Sequence, residues 1–105
     1  MAQWDVYVNP SARMRDELPF VVVLQSDLLG MLATRLVAPL ARGTSAHGKL
    51  PARLSPSFEI GGEKVLLVPQ ETAALDARLL RRPVASLRDQ SHRLVDALDA
   101  VISGV

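Results

Sequence analysis

Asp89, Ser91 and His92 supply the residue types of a hydrolytic triad, in which a carboxylate orients an imidazole that takes a proton from a nucleophilic hydroxyl. Their spacing defeats that use. At i, i+2 and i+3 of a helix the side chains point in different directions, whereas catalysis needs them converging within hydrogen-bond reach. His92 reads as an exposed helix residue. Gly43-Thr44-Ser45-Ala46-His47-Gly48-Lys49-Leu50 nearly spells a phosphate-binding loop, but the place of the magnesium-holding hydroxyl is taken by Leu50. Pro51 then removes a backbone donor and turns Leu50 away from helical geometry, so the segment reads as a surface loop. His47 has no second histidine or nearby carboxylate to complete a metal-ligand set. Glu59, Glu63 and Glu71 have nothing in the sequence that pairs two of them in an apolar cleft, and no acid–base pair is assigned. No catalytic residue, metal or cofactor follows, and residue chemistry alone describes an interaction protein rather than an enzyme.

Charge and composition narrow the partners. Lys plus Arg number 12 against 11 Asp plus Glu, a net charge of +1, which supplies no large field for phosphate or anionic lipid. Aromatic residues make up 4%, too few for stacking platforms on single-stranded bases. Sequence-specific nucleic-acid binding is not expected. Arg78, Arg81 and Arg82 form a local basic cluster, open to two readings: solvated structural arginines, or a seat for an acidic partner segment. The absence of cysteine excludes disulfides and thiolate metal sites. Without a leader-like start or an apolar run of membrane-spanning length, a cytoplasmic protein with no membrane association is expected.

The elements that position these residues are legible from pattern. Trp4 to Val8 alternates apolar and polar residues as a strand does, and Asn9-Pro10-Ser11 supplies a turn. Pro19 to Gln25 reads as a buried strand, and Arg35 to Leu40 as another, with Pro39 tolerated at its end or at a bulge. Phe58 to Ile60, Gly61-Gly62, then Glu63 to Val68 spell a hairpin, because two glycines adopt the positive φ of a tight turn. Ala74 to Val84 suits a strand or a helix equally. Ser86 followed by Asp89 predicts a helix start. Leu87, Ser91, Leu94, Val95, Leu98, Val101 and Ile102 then form one stripe, Asp89 and Arg93 pair on the outer face, and Gly104 stops the helix. Short strands followed by one terminal helix predict a mainly β fold, antiparallel, in a single domain over residues 1–105. With 105 residues, 49% of them hydrophobic, that domain is small enough for a homodimer to help it.

Several blocks fall in an order that resembles the CcdB family of gyrase-poisoning toxins. They are Val6-Tyr7; Val23, Gln25-Ser26-Asp27 and Leu28-Leu29; Arg35, Val37, Pro39 and Leu40; Pro56, Ile60 and Gly61; and Val84, Leu87, Ala97 and Gly104-Val105. The resemblance implies an SH3-like barrel of the type shared by CcdB and MazF toxins, assembled as a homodimer with the C-terminal helices near the two-fold axis. It further implies that Leu28, Leu29, Asp99, Ile102, Ser103, Gly104 and Val105 contact the DNA gyrase A protein. A cognate CcdA-like antitoxin with an acidic C-terminal segment is implied as the neutralising partner, with Arg78, Arg81 and Arg82 as the expected contacts. Leu28 to Leu32 make an apolar loop fit for a partner if it is exposed.

The terminus departs from the pattern: Ser103 stands where the family carries a tryptophan, and Asp99 where it usually has an uncharged amide. Two alternatives to a gyrase poison follow. One is a non-poisoning homologue acting mainly with its antitoxin. The other is a MazF-like endoribonuclease, for which Arg15 and Arg35 are the candidates, although Asn9 to Leu18 lacks that group's Gly-rich segment ending in Arg-Pro.

Overall fold

The computed structural model describes residues 2–44 and 50–104. Among them the strands are β1 (Asp5–Val8), β2 (Phe20–Val23), β3 (Thr34–Arg42), β4 (Ser57–Ile60), β5 (Glu63–Leu67), β6 (Ala73–Asp76) and β7 (Ala85–Ser86), followed by one α-helix, α1 (Ser91–Ser103). The strands run in the order β4-β5-β3-β2-β1-β7, with β6 also beside β3, and every pairing is antiparallel. This curled, nearly closed sheet with a terminal helix is an SH3-like barrel.

The nine-residue β3 is the hub. Val37 to Leu40 pair with β2, while on the opposite flank Thr34 to Val37 pair with β6 and Leu40 to Arg42 with β5. Pro39 was expected near a strand end; it lies inside β3, at the changeover from β6 to β5, where its missing N–H leaves no ladder bond unmade. Its carbonyl still accepts from Val68 N at 2.9 Å. The apolar run Val21-Val22-Val23 is buried on both faces because alternate residues enter different clusters. Val22 joins Val6, Leu40, Leu67 and Leu94 on the helix side, whereas Val21 and Val23 join Tyr7, Val37 and Leu80 on the other. Each fully buried Val or Leu contributes about 1.5–3 kcal/mol of apolar burial.

The β4–β5 hairpin turns on Gly61 (φ 58°) and Gly62 (φ 83°), the doubly left-handed geometry that matches the twist of the flanking strands. The ambiguous stretch after Thr72 resolves as β6, a 3-10 turn over Ala77–Leu79 and the short β7. The helix starts later than its sequence signals: Ser86 lies in β7, a 3-10 turn covers Arg88–Gln90, and α1 begins at Ser91. Its buried face is Leu94, Ala97 and Ala100, the two alanines letting the helix approach the sheet, with Leu98 half-buried against the same core, whereas Val95, Val101 and Ile102 of the expected stripe are exposed. Arg93 does not pair along the outer face with Asp89. Its Nη1 donates to Gln90 Oε1 at 2.6 Å, and its guanidinium lies 4.6 Å from the centre of the Phe58 ring, a cation–π contact. Gly104, at φ 73°, closes the helix by donating to the Ala100 carbonyl.

Candidate partner-binding surfaces

The chain between β2 and β3 is short and densely bonded. Ser26 caps a 3-10 turn over Asp27–Leu29, its Oγ accepting from Leu28 N at 3.2 Å. Asp27 Oδ1 accepts from Gln3 N at 2.8 Å, and Gln3 Nε2 donates to the Leu24 carbonyl at 3.0 Å, tying the loop to the N-terminal segment. Gln25 Nε2 donates to the carbonyls of Leu29 and Thr34, and its Oε1 accepts from Leu36 N. Thus the Gln-Ser-Asp block is structural: each side chain holds backbone that would otherwise be unpaired in a tight turn. The apolar residues that follow are left outside. Leu28 is 85% exposed and Met31 81%, with Leu29 and Leu32 about half exposed.

At the other end of the chain, the last turn of α1 buries Ala100 and exposes its opposite face. Ile102 is 84% exposed, and Asp99, Ser103 and Gly104 are also exposed. The Ser103 hydroxyl turns back to donate to the Asp99 carbonyl at 2.6 Å. Asp99 and Ser103, with Asp96 and Arg53, line an open depression of about 610 Å³. An adjoining, more apolar one of about 330 Å³ is lined by Pro51, Arg53, Leu54, Ala100 and Gly104. Val105 lies outside the described residues.

The arginine cluster separates into two environments. Arg78, its side chain 90% exposed, is paired with Asp76 through Nη2–Oδ2 at 2.8 Å. Side-chain and backbone hydrogen bonds from Arg78 hold the Asp76 carboxyl down to about 2, and the pairing raises the guanidinium in turn. Arg81 and Arg82 instead share a depression of about 230 Å³ with Arg15, over a floor of Tyr7, Val8, Pro10 and Leu79. Sequence spacing did not reveal this groove, because two stretches far apart in the chain, 7–15 and 79–82, build it.

The residues with catalytic types stay apart. His92 is exposed, Ser91 half-buried, and no hydrogen bond joins them to Asp89 among the described residues. The Glu63 carboxylate is taken by Arg42. No group of three His, Cys, Asp or Glu residues with metal-site geometry occurs among the described residues, and His47, with most of the near-phosphate loop, lies outside them. Among the described residues no helix is long and apolar enough to cross a membrane. The nuclease candidates are both engaged. Arg35 donates to the carbonyls of Gly30, Leu32 and Thr34, and Arg15 Nε to that of Asn9 at 2.7 Å.

A sequence family described as CcdB protein matches residues 3–104. The chain belongs to the CcdB family. Membership makes it the toxin component of a toxin–antitoxin system and gives it an antitoxin partner. The match spans the barrel, the β2–β3 loop and the helix end, so both expected contact regions lie within this CcdB-family domain. No sequence among curated proteins matches the chain.

Proposed function

We infer that this CcdB-family toxin binds the DNA gyrase A protein and traps the gyrase–DNA cleavage complex, acting as a binder with no catalytic residues of its own. The observation that carries this reading is Leu28 at 85% exposure on a turn whose polar side chains all face backbone. An apolar side chain held in water by a bonded scaffold suits a contact residue better than a folding residue. Leu28 and Leu29 supply one contact; Asp99, Ile102, Ser103, Gly104 and Val105 supply the other. A homodimer joins two copies of these regions into one surface, and the exposed Val95 and Val101 of α1 give the helices apolar area to bury against each other. Gyrase as target implies a cytoplasmic protein.

The antitoxin seat follows from the separated arginines. Arg81 and Arg82 offer guanidinium groups over an apolar floor with no carboxylate among the lining residues, and Arg15 lines the same depression with its Nε held by the Asn9 carbonyl. That chemistry fits an acidic segment carrying an apolar anchor. Arg78 already has Asp76 and contributes less. Replacing Arg81 and Arg82 together by Ala is expected to weaken antitoxin-peptide binding by roughly tenfold or more, and replacing Arg78 alone by less; equal losses from the two changes would return Arg78 to the seat.

The deciding experiment incubates the pure protein with gyrase from its own host, supercoiled DNA and ATP, and measures trapped double-strand breaks on a gel. Breaks that disappear with Leu28→Ser support the reading. No breaks from an intact, dimeric wild type would favour the non-poisoning homologue, which the exposed Ser103, with its hydroxyl turned onto its own helix, already suits.

A further inference from the structure

The β2–β3 loop presents a physical problem. Four large apolar side chains, Leu28, Leu29, Met31 and Leu32, stand at 46% exposure or more on a segment of five residues. Surface segments with few buried contacts open readily, and apolar side chains on such a segment gain by folding inward. Three turn bonds, Leu29 N to Ser26 O, Gly30 N to Asp27 O and Leu32 N to Leu29 O, shape the loop, but every donor and acceptor in them has water as a competitor.

Arg35, in β3 just after the loop, answers this. Its Nη2 donates to the Gly30 carbonyl at 2.8 Å, and its Nη1 donates to the Leu32 carbonyl at 2.5 Å and the Thr34 carbonyl at 2.8 Å. A guanidinium is a rigid planar fork, so carbonyls bound by one fork are fixed relative to one another. Gln25 braces the other limb from β2. Gly30 belongs to the same device, since a Cβ there would come within 3.2 Å of the Asp27 carbonyl. Leu28, in the 3-10 turn, and Met31, two residues past its end, are the two most exposed side chains of the loop, at 85% and 81%.

We propose that Arg35 is a positioning residue whose guanidinium staples the β2–β3 loop so that Leu28 and Met31 are displayed together as a preformed apolar knob, with Met31 a second partner contact beside Leu28. The partner then meets an ordered surface and does not bear the entropy of ordering it. This rests on the reading that the loop contacts gyrase. It gives a binding role to Met31 and a conformational one to Arg35, whose Nη1 and Nη2 groups are engaged with backbone carbonyls of the loop.

The test uses the full chain with Arg35→Lys, Arg35→Ala and Met31→Ser, and measures two things. The first is amide hydrogen exchange at Leu29, Gly30 and Leu32, with the Val22 and Leu40 amides as internal reference for the barrel. Both Arg35 variants are expected to speed loop exchange ~10-fold or more with the barrel amides unmoved, because a lysine presents its donors from a single nitrogen and cannot span the carbonyls. Unchanged loop exchange, rescue by lysine, or equal acceleration in the barrel would overturn the staple. The second is association with an immobilised gyrase A dimerisation domain. Arg35→Lys is expected to slow association and Met31→Ser to speed dissociation, each ~10-fold. A loosened loop with unchanged association would overturn the positioning role, and unchanged dissociation of Met31→Ser would remove Met31 from the contact. Failure of the wild type to bind would defeat the gyrase reading itself, leaving the exchange data to decide the staple.

Discussion

The β2–β3 loop and the end of α1 both expose apolar side chains, and they do so by different means. In the loop, Gln25, Ser26, Asp27 and Arg35 all hold backbone, and Leu28 and Met31 stay in water because the scaffold leaves them no route inward. At the helix end, Ile102 is exposed because it lies on the face of α1 opposite the buried Ala100, and the last turn is held by the helix's own bonds, Ser103 Oγ to Asp99 O and Gly104 N to Ala100 O. One surface is built by tertiary bonding, the other by local propensity. A preformed surface binds without an ordering cost, whereas a helix end depends on the size of the side chain it carries. Ser103 is a small one.

The comparison breaks most severely if the seat of the helix is removed. Leu94 is fully buried against the barrel, and Leu94→Ala is expected to lower the unfolding free energy by about 3 kcal/mol in urea titration. A loss below about 1 kcal/mol would mean that the helix is not docked as described. A sharper cut separates the two surfaces. Leu28→Ser is expected to leave stability within about 0.5 kcal/mol while removing about 2 kcal/mol of gyrase binding by calorimetry. The converse change, Ser103→Trp, is expected to gain about 1 kcal/mol of binding, with little effect on the fold, since Ser103 lies at the edge of an open depression.

The smallest effect concerns the arginines. Asp76, held at about 2 by Arg78, lies below the ordinary carboxylate value. The pairing is therefore present above that ordinary value and lost as pH falls through about 2. In Arg78→Ala, the Asp76 carboxyl followed by NMR is expected to titrate upward toward its ordinary range, with no measurable change in stability because both groups are solvent-exposed. An unmoved titration would show that Arg78 is as free as Arg81 and Arg82.

Legibility in the sequence followed the range of the interaction. Gly61-Gly62 announced the hairpin and Gly104 the helix stop because each acts through its own backbone angles. The strand through Pro39 was read correctly but ended at Leu40 rather than Arg42, because the cost of a proline depends on which neighbour β3 has at that point, and β3 changes partner there. The helix stripe was drawn too wide because periodicity counts apolar residues, whereas the core takes Leu87, Leu94 and Leu98 of the stripe and leaves Val95, Val101 and Ile102 exposed. Arg78, Arg81 and Arg82 read as one cluster in sequence and are two environments in space.

The sequence by itself determined the class of this protein. Alternating strands, a glycine turn, a terminal helix and the ordered CcdB-like blocks specify a small, mainly β barrel with a terminal helix, because these signals are local or sit in linear order. Only the tertiary structure decided which leucines face water, that Arg35 donates to three carbonyls of the β2–β3 loop, and that Arg15 lines the same depression as Arg81 and Arg82. Exposure and convergence are properties of residues that the chain separates and the fold brings together.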